Sequence, residues 1–276
     1  MPVKLTNYMF THYLITRFNI RVSDRGPEHM HSPEMDLKWL TERLHLFLQY
    51  CVPSVLEQVN KNFTWLIYLD RHTPVSILKQ INFLNESEIS TEIIFIDDYD
   101  NLVQDLVRKI KQANSPYVIT SRLDNDDSIS RSFINDIQRA FRPLNGMIIN
   151  FPKGYEYNIQ QRVFTKWNRR FKNQFMSLIE SCDADDVQSV YGFPHWKVPP
   201  TSSIVNIEQK PNWIYLGHHL NYSNLPITGI PLFVKPGELK LFPQAIRQAP
   251  ISISNTLKYT LTWLPRVMKR RWKNTK

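Results

Sequence analysis

Three of the four residues in Asp124-Asn125-Asp126-Asp127 are carboxylates, set between Leu123 and Ser128. Like charges this close repel, and at the end of a buried strand that costs free energy unless a cation offsets it. A hard divalent ion with oxygen ligands does so. Mg²⁺ or Mn²⁺ typically takes one or two carboxylates and fills its shell with substrate phosphates. On an extended segment alternate residues point the same way. Asp124 and Asp126 are therefore expected to share a face, with Asp127 opening the turn into the next helix. The competing reading is a solvated acidic turn that caps that helix. A calcium-binding EF-hand loop starting at Asp124 is excluded, because its sixth position holds Ile129 and its twelfth Asn135.

Other groups fall near the same place in the pattern. Thr16, Arg17, Asp70 and Arg122 each end or follow an apolar run, as do Asp97 and Asp98. A guanidinium at such an end clamps a phosphate or a sugar hydroxyl in bidentate fashion, or else pairs with an aspartate. Asp70 suits a hydrogen bond to a base or ribose, or simply ends its strand. His218 and His219 form a second constellation, in which one imidazole completes a metal shell begun by Asp126 or Asp127; the alternative is a surface pair in a loop. His195 is a weaker candidate of the same kind, and His12, His45 and His72 read as structural.

The elements that must position these groups follow from periodicity. Residues 8–20, 63–69, 91–96, 117–120 and 147–151 are apolar, β-branched or aromatic runs that read as strands. Between them, 37–51, 74–84, 100–113 and 130–141 carry helical spacing, and Pro53 suits the first turn of a short further helix. This alternation predicts an α/β fold, a mostly parallel sheet with helices on both faces. In such sheets ligands bind beyond the carboxyl ends of the strands. Residues 1–150 form the expected nucleotide-binding half and 151–240 an irregular half with a helix near 168–181. Residues 241–276 form a basic amphipathic tail.

Composition narrows the function. The 276 residues include 7 glycines, none placed to form a Gly-x-Gly-x-x-Gly or a Walker loop, so any nucleotide is held without a glycine-rich cradle. Two distant cysteines, Cys51 and Cys182, make neither a zinc knuckle nor a disulfide framework and favour a reducing, cytoplasmic setting. No apolar run reaches membrane-spanning length, and the start lacks a signal pattern. The net charge of +9 lies wholly in the tail: after Glu238 come nine cations and no acid, while residues 1–238 carry 25 of each sign. A nucleic-acid-binding surface is thus poorly supported. Residues 255–276 mix seven cations with leucines and tryptophans, suiting peripheral contact with an anionic membrane leaflet or a packing helix with a basic end.

The whole pattern resembles a GT-A glycosyltransferase, in particular the bacterial rhamnosyltransferase family. The matching stretches are residues 12–19, Cys51-Val52-Pro53-Ser54-Val55 with Gln58, 62–68, Thr120 to Asp127, Ser177-Leu178-Ile179-Glu180, and Trp213 to Asn221, in order across about 210 residues. The resemblance implies a nucleotide-sugar donor bound by Thr16, Arg17, Asp70, Arg122 and Asp124. It implies a D-x-D-type site for Mn²⁺ or Mg²⁺ at Asp124, Asp126 and Asp127, with His218 as the family's recurrent histidine. The acceptor would be a hydroxyl of a glycan or lipid-linked saccharide. Glu180 is the expected catalytic base, ahead of Asp183, Asp185 and Asp186, and Arg122 the expected aid to the leaving group. Two other readings stay open: a metal-dependent nucleotidyltransferase or phosphohydrolase, and a non-catalytic carbohydrate-binding protein suggested by the aromatic residues of 151–222.

Overall fold

The computed structural model describes residues 9–20, 36–168, 173–194, 197–199, 203–220, 230–234 and 236–273. Its strands are β1 (Phe10–Arg17), β2 (Thr64–Asp70), β3 (Ser90–Ile96), β4 (Tyr117–Arg122), β5 (Ser128–Ile129), β6 (Met147–Asn150), β7 (Lys153–Asn158), β8 (Val163–Asn168), β9 (Met176–Ser181), β10 (Ile204–Asn206), β11 (Trp213–Gly217) and β12 (Ile230–Leu232). Its α-helices are α1 (Leu37–Leu46), α2 (Val52–Leu56), α3 (Val75–Ile81), α4 (Tyr99–Lys111), α5 (Phe133–Ala140), α6 (Gln244–Arg247) and α7 (Ile253–Lys273).

A seven-stranded sheet runs β10-β6-β9-β4-β1-β2-β3. β1 pairs in parallel with β2 and β4, and β2 with β3. Ile15 lies opposite Arg122 and Arg17 opposite Tyr68, so the carboxyl ends of β1, β2 and β4 share one edge. β2 is buried from Trp65 to Asp70, as an apolar run covered on both faces should be. On one face Leu14, Trp65 and Ile67 pack with Leu40, Phe47, Val55 and Phe133 of α1, α2, α5 and the turn between α1 and α2. On the other, Ile15, Leu66 and Tyr68 meet Leu102 and Leu106 of α4.

The expected helix over 37–51 continues into α2 through a π-helical turn, Phe47–Cys51. That wide turn falls where Pro53, which has no N–H to return to the preceding turn, enters the helix. The helix expected from Ser130 starts at Phe133 instead. Ser130 N–H donates to Asn212 O (2.9 Å) and Ser130 O accepts from Gln58 Nε2 (2.8 Å), so its backbone is already spent.

Two expectations for the second half are corrected. Residues 176–181 are a strand, β9, inserted antiparallel between β4 and β6, not part of a helix; residues 169–172 lie outside the described set. With β4 on one side and β6 on the other, every backbone polar group of the segment finds a sheet partner, which outweighs local helix preference. Residues 151–238 are also less irregular than expected. They build a five-stranded sheet, β12-β8-β7-β11-β5. One face of it (Tyr155, Tyr157, Phe164, Ile214 and Leu216) packs on Leu46, Tyr50, Phe242 and Ile246. β9 and β10 from this half join the main sheet. Gly154 lets the Trp213 indole lie against its backbone: a Cβ there would stand 2.1 Å from the ring. Trp213 in turn stacks on Phe175, with centroids 4.7 Å apart.

The tail is helical. α7 is anchored at its start by buried Thr256 and by Asn255 Nδ2 donating to Gln161 O (2.9 Å). Ile253, Leu257 and Leu261 form an exposed row four residues apart. Among the described residues no helix is long and apolar enough to cross a membrane.

Candidate active site

The acidic stretch is the crossing between the two sheets. It leaves β4 at Arg122 and enters β5 at Ser128, and β5 pairs antiparallel with β11. Leu123 N–H donates to Ile15 O (3.0 Å) and Asn125 Nδ2 to Phe18 O (2.7 Å), which ties the crossing to the end of β1. Asp127 N–H donates back to Asp124 O (3.2 Å). The segment is therefore a turn and not extended. The expectation that Asp124 and Asp126 share a face fails for that reason, and the three carboxylates go to three sets of partners.

Asp124 sits at the sheet edge among arginines, 3.7 Å from Arg122 Nε and 3.9 Å from Arg17 Nη2. Both guanidiniums rest on Tyr191, with centroid distances of 4.6 Å for Arg122 and 5.4 Å for Arg17, and Arg17 also lies over Tyr99 at 5.5 Å. The rings fix the two planar cations without consuming their hydrogen-bond donors. Burial pushes the Tyr191 hydroxyl up to about 12, so it stays neutral beside them.

Asp126 is buried, and its Oδ2 accepts from Arg43 of α1 and stands 2.8 Å from His218 Nε2. Leu220 N–H donates to His218 Nδ1 (3.2 Å), which places the ring proton on Nε2, aimed at Asp126. Arg43 Nη1 is 3.3 Å from that same nitrogen, and its guanidinium stacks over Trp39 at 5.2 Å. Burial alone would raise the Asp126 carboxyl. The Arg43 charge and the His218 hydrogen bond outweigh it and hold the group below the usual carboxylate range.

Asp127 is buried too, but both its oxygens serve the fold. Oδ1 accepts from Leu216 N–H (3.0 Å) and Oδ2 from Gln174 Nε2 (3.1 Å). Burial, then Asp126 and Asp124, push its carboxyl above the ordinary range. Asp127 thus braces β11, the strand that delivers His218.

The remaining expected residues divide. Thr16 is wholly buried and accepts from Trp65 Nε1 (3.0 Å), a core role. Asp70 is wholly buried at the end of β2, where its Oδ1 accepts from His72 N–H (2.8 Å) and steadies the turn. Asp97 pairs with exposed Arg71 (2.8 Å), and Asp98 caps α4. His219 is exposed and pairs with Glu42 (2.8 Å). His12 is buried between Ser121 and Gln138, as a structural histidine should be. His195 lies outside the described residues.

Glu180 is not brought to this edge. It pairs with Val118, four residues before Arg122 on β4. At about 3.3 Å per residue that is roughly 13 Å down the sheet. Its SLIE context fixed a place in the chain, while the reversed direction of β9 carries the side chain away. Its Oε2 is buried without a hydrogen-bond partner, and burial pushes the carboxyl up to about 7.

Two residues were not singled out from sequence. Arg43 is one charge within an ordinary amphipathic helix. Glu156 lies on β7 opposite Tyr215 and accepts from Trp167 Nε1 (2.9 Å) and Thr165 Oγ1 (3.2 Å). A Cβ at Gly217 would lie 3.4 Å from Glu156 Oε1, so this carboxylate adjoins the residue before His218.

The Asp126–His218 pair matches a divalent ion in spacing. Two adjacent ligands of an octahedral ion with bonds near 2.1 Å stand about 3 Å apart. No group of three or more His, Cys, Asp or Glu able to hold a metal occurs among the described residues. The protein would supply two ligands, leaving the others to substrate oxygens and water.

Comparison with known proteins bears on this arrangement. No curated protein sequence matches the chain. Among solved structures, TarS 1–349 from S. aureus in complex with UDP-GlcNAc is similar at 10% identity and TM-score 0.46, covering 92% of this chain and 71% of that one. The inositol-1-phosphate CTP transferase from T. maritima is similar at 9% identity and TM-score 0.34, covering 74% and 89%. Against another structure of TarS 1–349 the chain covers 60% of the neighbour's length. The family model described as "Putative rhamnosyl transferase" matches residues 6–229. That match takes in β1, the crossing from Asp124 to Asp127, and His218, and the chain belongs to this rhamnosyl transferase family, as a glycosyltransferase of GT-A-like fold.

Proposed function

We propose that the chain transfers a sugar, with rhamnose first among the candidates, from a nucleotide-sugar donor to a hydroxyl of a glycan or lipid-linked acceptor. The observation that carries this reading is the gathering of Arg17, Arg43, Arg122, Asp124, Asp126 and His218 at the carboxyl edge of the parallel strands. Ligands bind at that edge in folds of this kind.

A nucleoside diphosphate leaving group gains negative charge as the glycosidic bond breaks. Arg17 and Arg122, held in place by Tyr191, face that charge with donors already oriented, so little reorganisation is needed. Asp124 keeps the two guanidiniums at one height. Mn²⁺ or Mg²⁺, held by Asp126 and His218, would add positive charge at the diphosphate. Asp127 keeps β11, and so His218, in position. The acceptor's proton needs a carboxylate, and Glu156 takes that part in place of Glu180. It shares a sheet face with Trp167 and Tyr215, half-buried rings suited to stacking on a sugar.

The test is release of nucleoside diphosphate from a panel of uridine-, thymidine- and guanosine-linked sugars, with Mn²⁺ or with EDTA. Asp126→Ala is expected to lower kcat/KM by about 10²–10³-fold, and Glu156→Gln by at least about 10²-fold. Undiminished turnover in Asp126→Ala rejects the site. Release of pyrophosphate would instead favour nucleotidyl transfer.

A further inference from the structure

Asp126 presents one oxygen to two partners at once. Arg43 donates to Oδ2, and the His218 Nε2 proton points at the same atom from 2.8 Å. A divalent ion bonded to Asp126 and His218 would need this oxygen and this nitrogen. It would also stand within a few ångströms of a guanidinium of like charge, where repulsion in a buried site is strong. Arg43 and a metal are therefore mutually exclusive in the position Arg43 now holds.

Arg43 has the means to leave. Its stem lies along Trp39 on its own helix, so the side chain can swing without losing that contact. Its Nε is buried with no hydrogen-bond partner, so the guanidinium is only part-satisfied where it is. An arriving diphosphate offers what the fork lacks, two oxygens for parallel N–H donors. The next residue back, Glu42, holds His219. One turn of α1 thus grips both histidines of the pair.

We propose that Arg43 is a placeholder cation. It neutralises Asp126 and keeps Asp126 and His218 together while no donor is bound. It gives up that place only when a donor diphosphate draws it away, so the metal binds tightly with the donor and weakly alone. This rests on the reading of Asp126 and His218 as metal ligands, and the test separates the two.

The experiment is titration of the full chain with Mn²⁺ alone, following free Mn²⁺ by electron paramagnetic resonance. Arg43→Gln and Arg43→Met, which remove the charge but keep a stem against Trp39, are compared with wild type and Asp126→Asn. Both Arg43 variants are expected to bind Mn²⁺ at least about tenfold more tightly than wild type. Asp126→Asn is expected to abolish the gain when added to either. If wild type and both Arg43 variants bind equally, and Asp126→Asn still weakens binding, Arg43 is no placeholder while the metal reading stands. If none of the proteins binds Mn²⁺, the metal reading falls and the placeholder with it. Agreement between the two neutral variants guards against misfolding of either.

Discussion

His12 and Glu180 lie on opposite faces of the main sheet, in register with neighbouring residues of β4, Ile119 and Val118. Burial holds the His12 imidazole down to about 3 and pushes the Glu180 carboxyl up to about 7. Their effects on stability have opposite signs. Folded Glu180 keeps a proton that the unfolded chain releases, so it costs stability as pH rises from about 4.5 to 7. His12 refuses a proton that the unfolded chain takes up, so it costs stability as pH falls below about 6.5. Between pH 4.5 and 6.5 the two oppose. In Glu180→Gln only the histidine remains. Thermal melts of that variant should show the midpoint falling more steeply on acidification from 6.5 to 4.5 than in wild type. Parallel slopes would rule this account out. At this scale the sequence disclosed the charged groups well but not their neighbours. Asp126 and His218 stood out as residue types, whereas nothing in the spacing of α1 marks Arg43, because its partner lies 83 positions away.

Elements differ in how legible they were. β1, β2, β4 and α4 are buried on the faces their apolar spacing demands, and they followed from that spacing. The second sheet did not, because β7 and β11 interleave core tyrosines with Glu156, Asn158 and Gly217, and neither pure alternation nor an apolar run results. β9 was missed because its partners on both sides come from distant parts of the chain. The contact that seats β11 offers a test. Gly154→Ala would force the Trp213 indole off its stack with Phe175 and disturb Leu216, which holds Asp127. Overpacking of this kind costs about 1–3 kcal/mol. The denaturant midpoint should fall accordingly, with a loss of transferase activity beyond what the stability change explains. A variant as stable and active as wild type would show that the close approach is not needed.

The molecule as a whole is a neutral body with a cationic end. α7 begins as a packed helix and shows Ile253, Leu257 and Leu261 to solvent. The basic residues Arg266, Lys269, Arg270, Arg271 and Lys273 follow on the same helix. We propose that this end rests on an anionic membrane leaflet, where each cation contributes about 1 kcal/mol. Replacing those five by Gln should release the protein from vesicles rich in phosphatidylserine in a co-sedimentation assay. Wild-type binding should weaken as salt rises, since the attraction is screened over about 10 Å at 0.1 M. Undiminished pelleting of the five-residue variant would exclude the tail as the contact.

The crossing from Arg122 to Ser128 closes one sheet and begins the other within a handful of residues. Whatever tugs on Asp126 therefore tugs on both layers together. Loading this enzyme would tighten a hinge pin and not merely fill a pocket, and the grip of its catalytic parts on one another would rise and fall with occupancy.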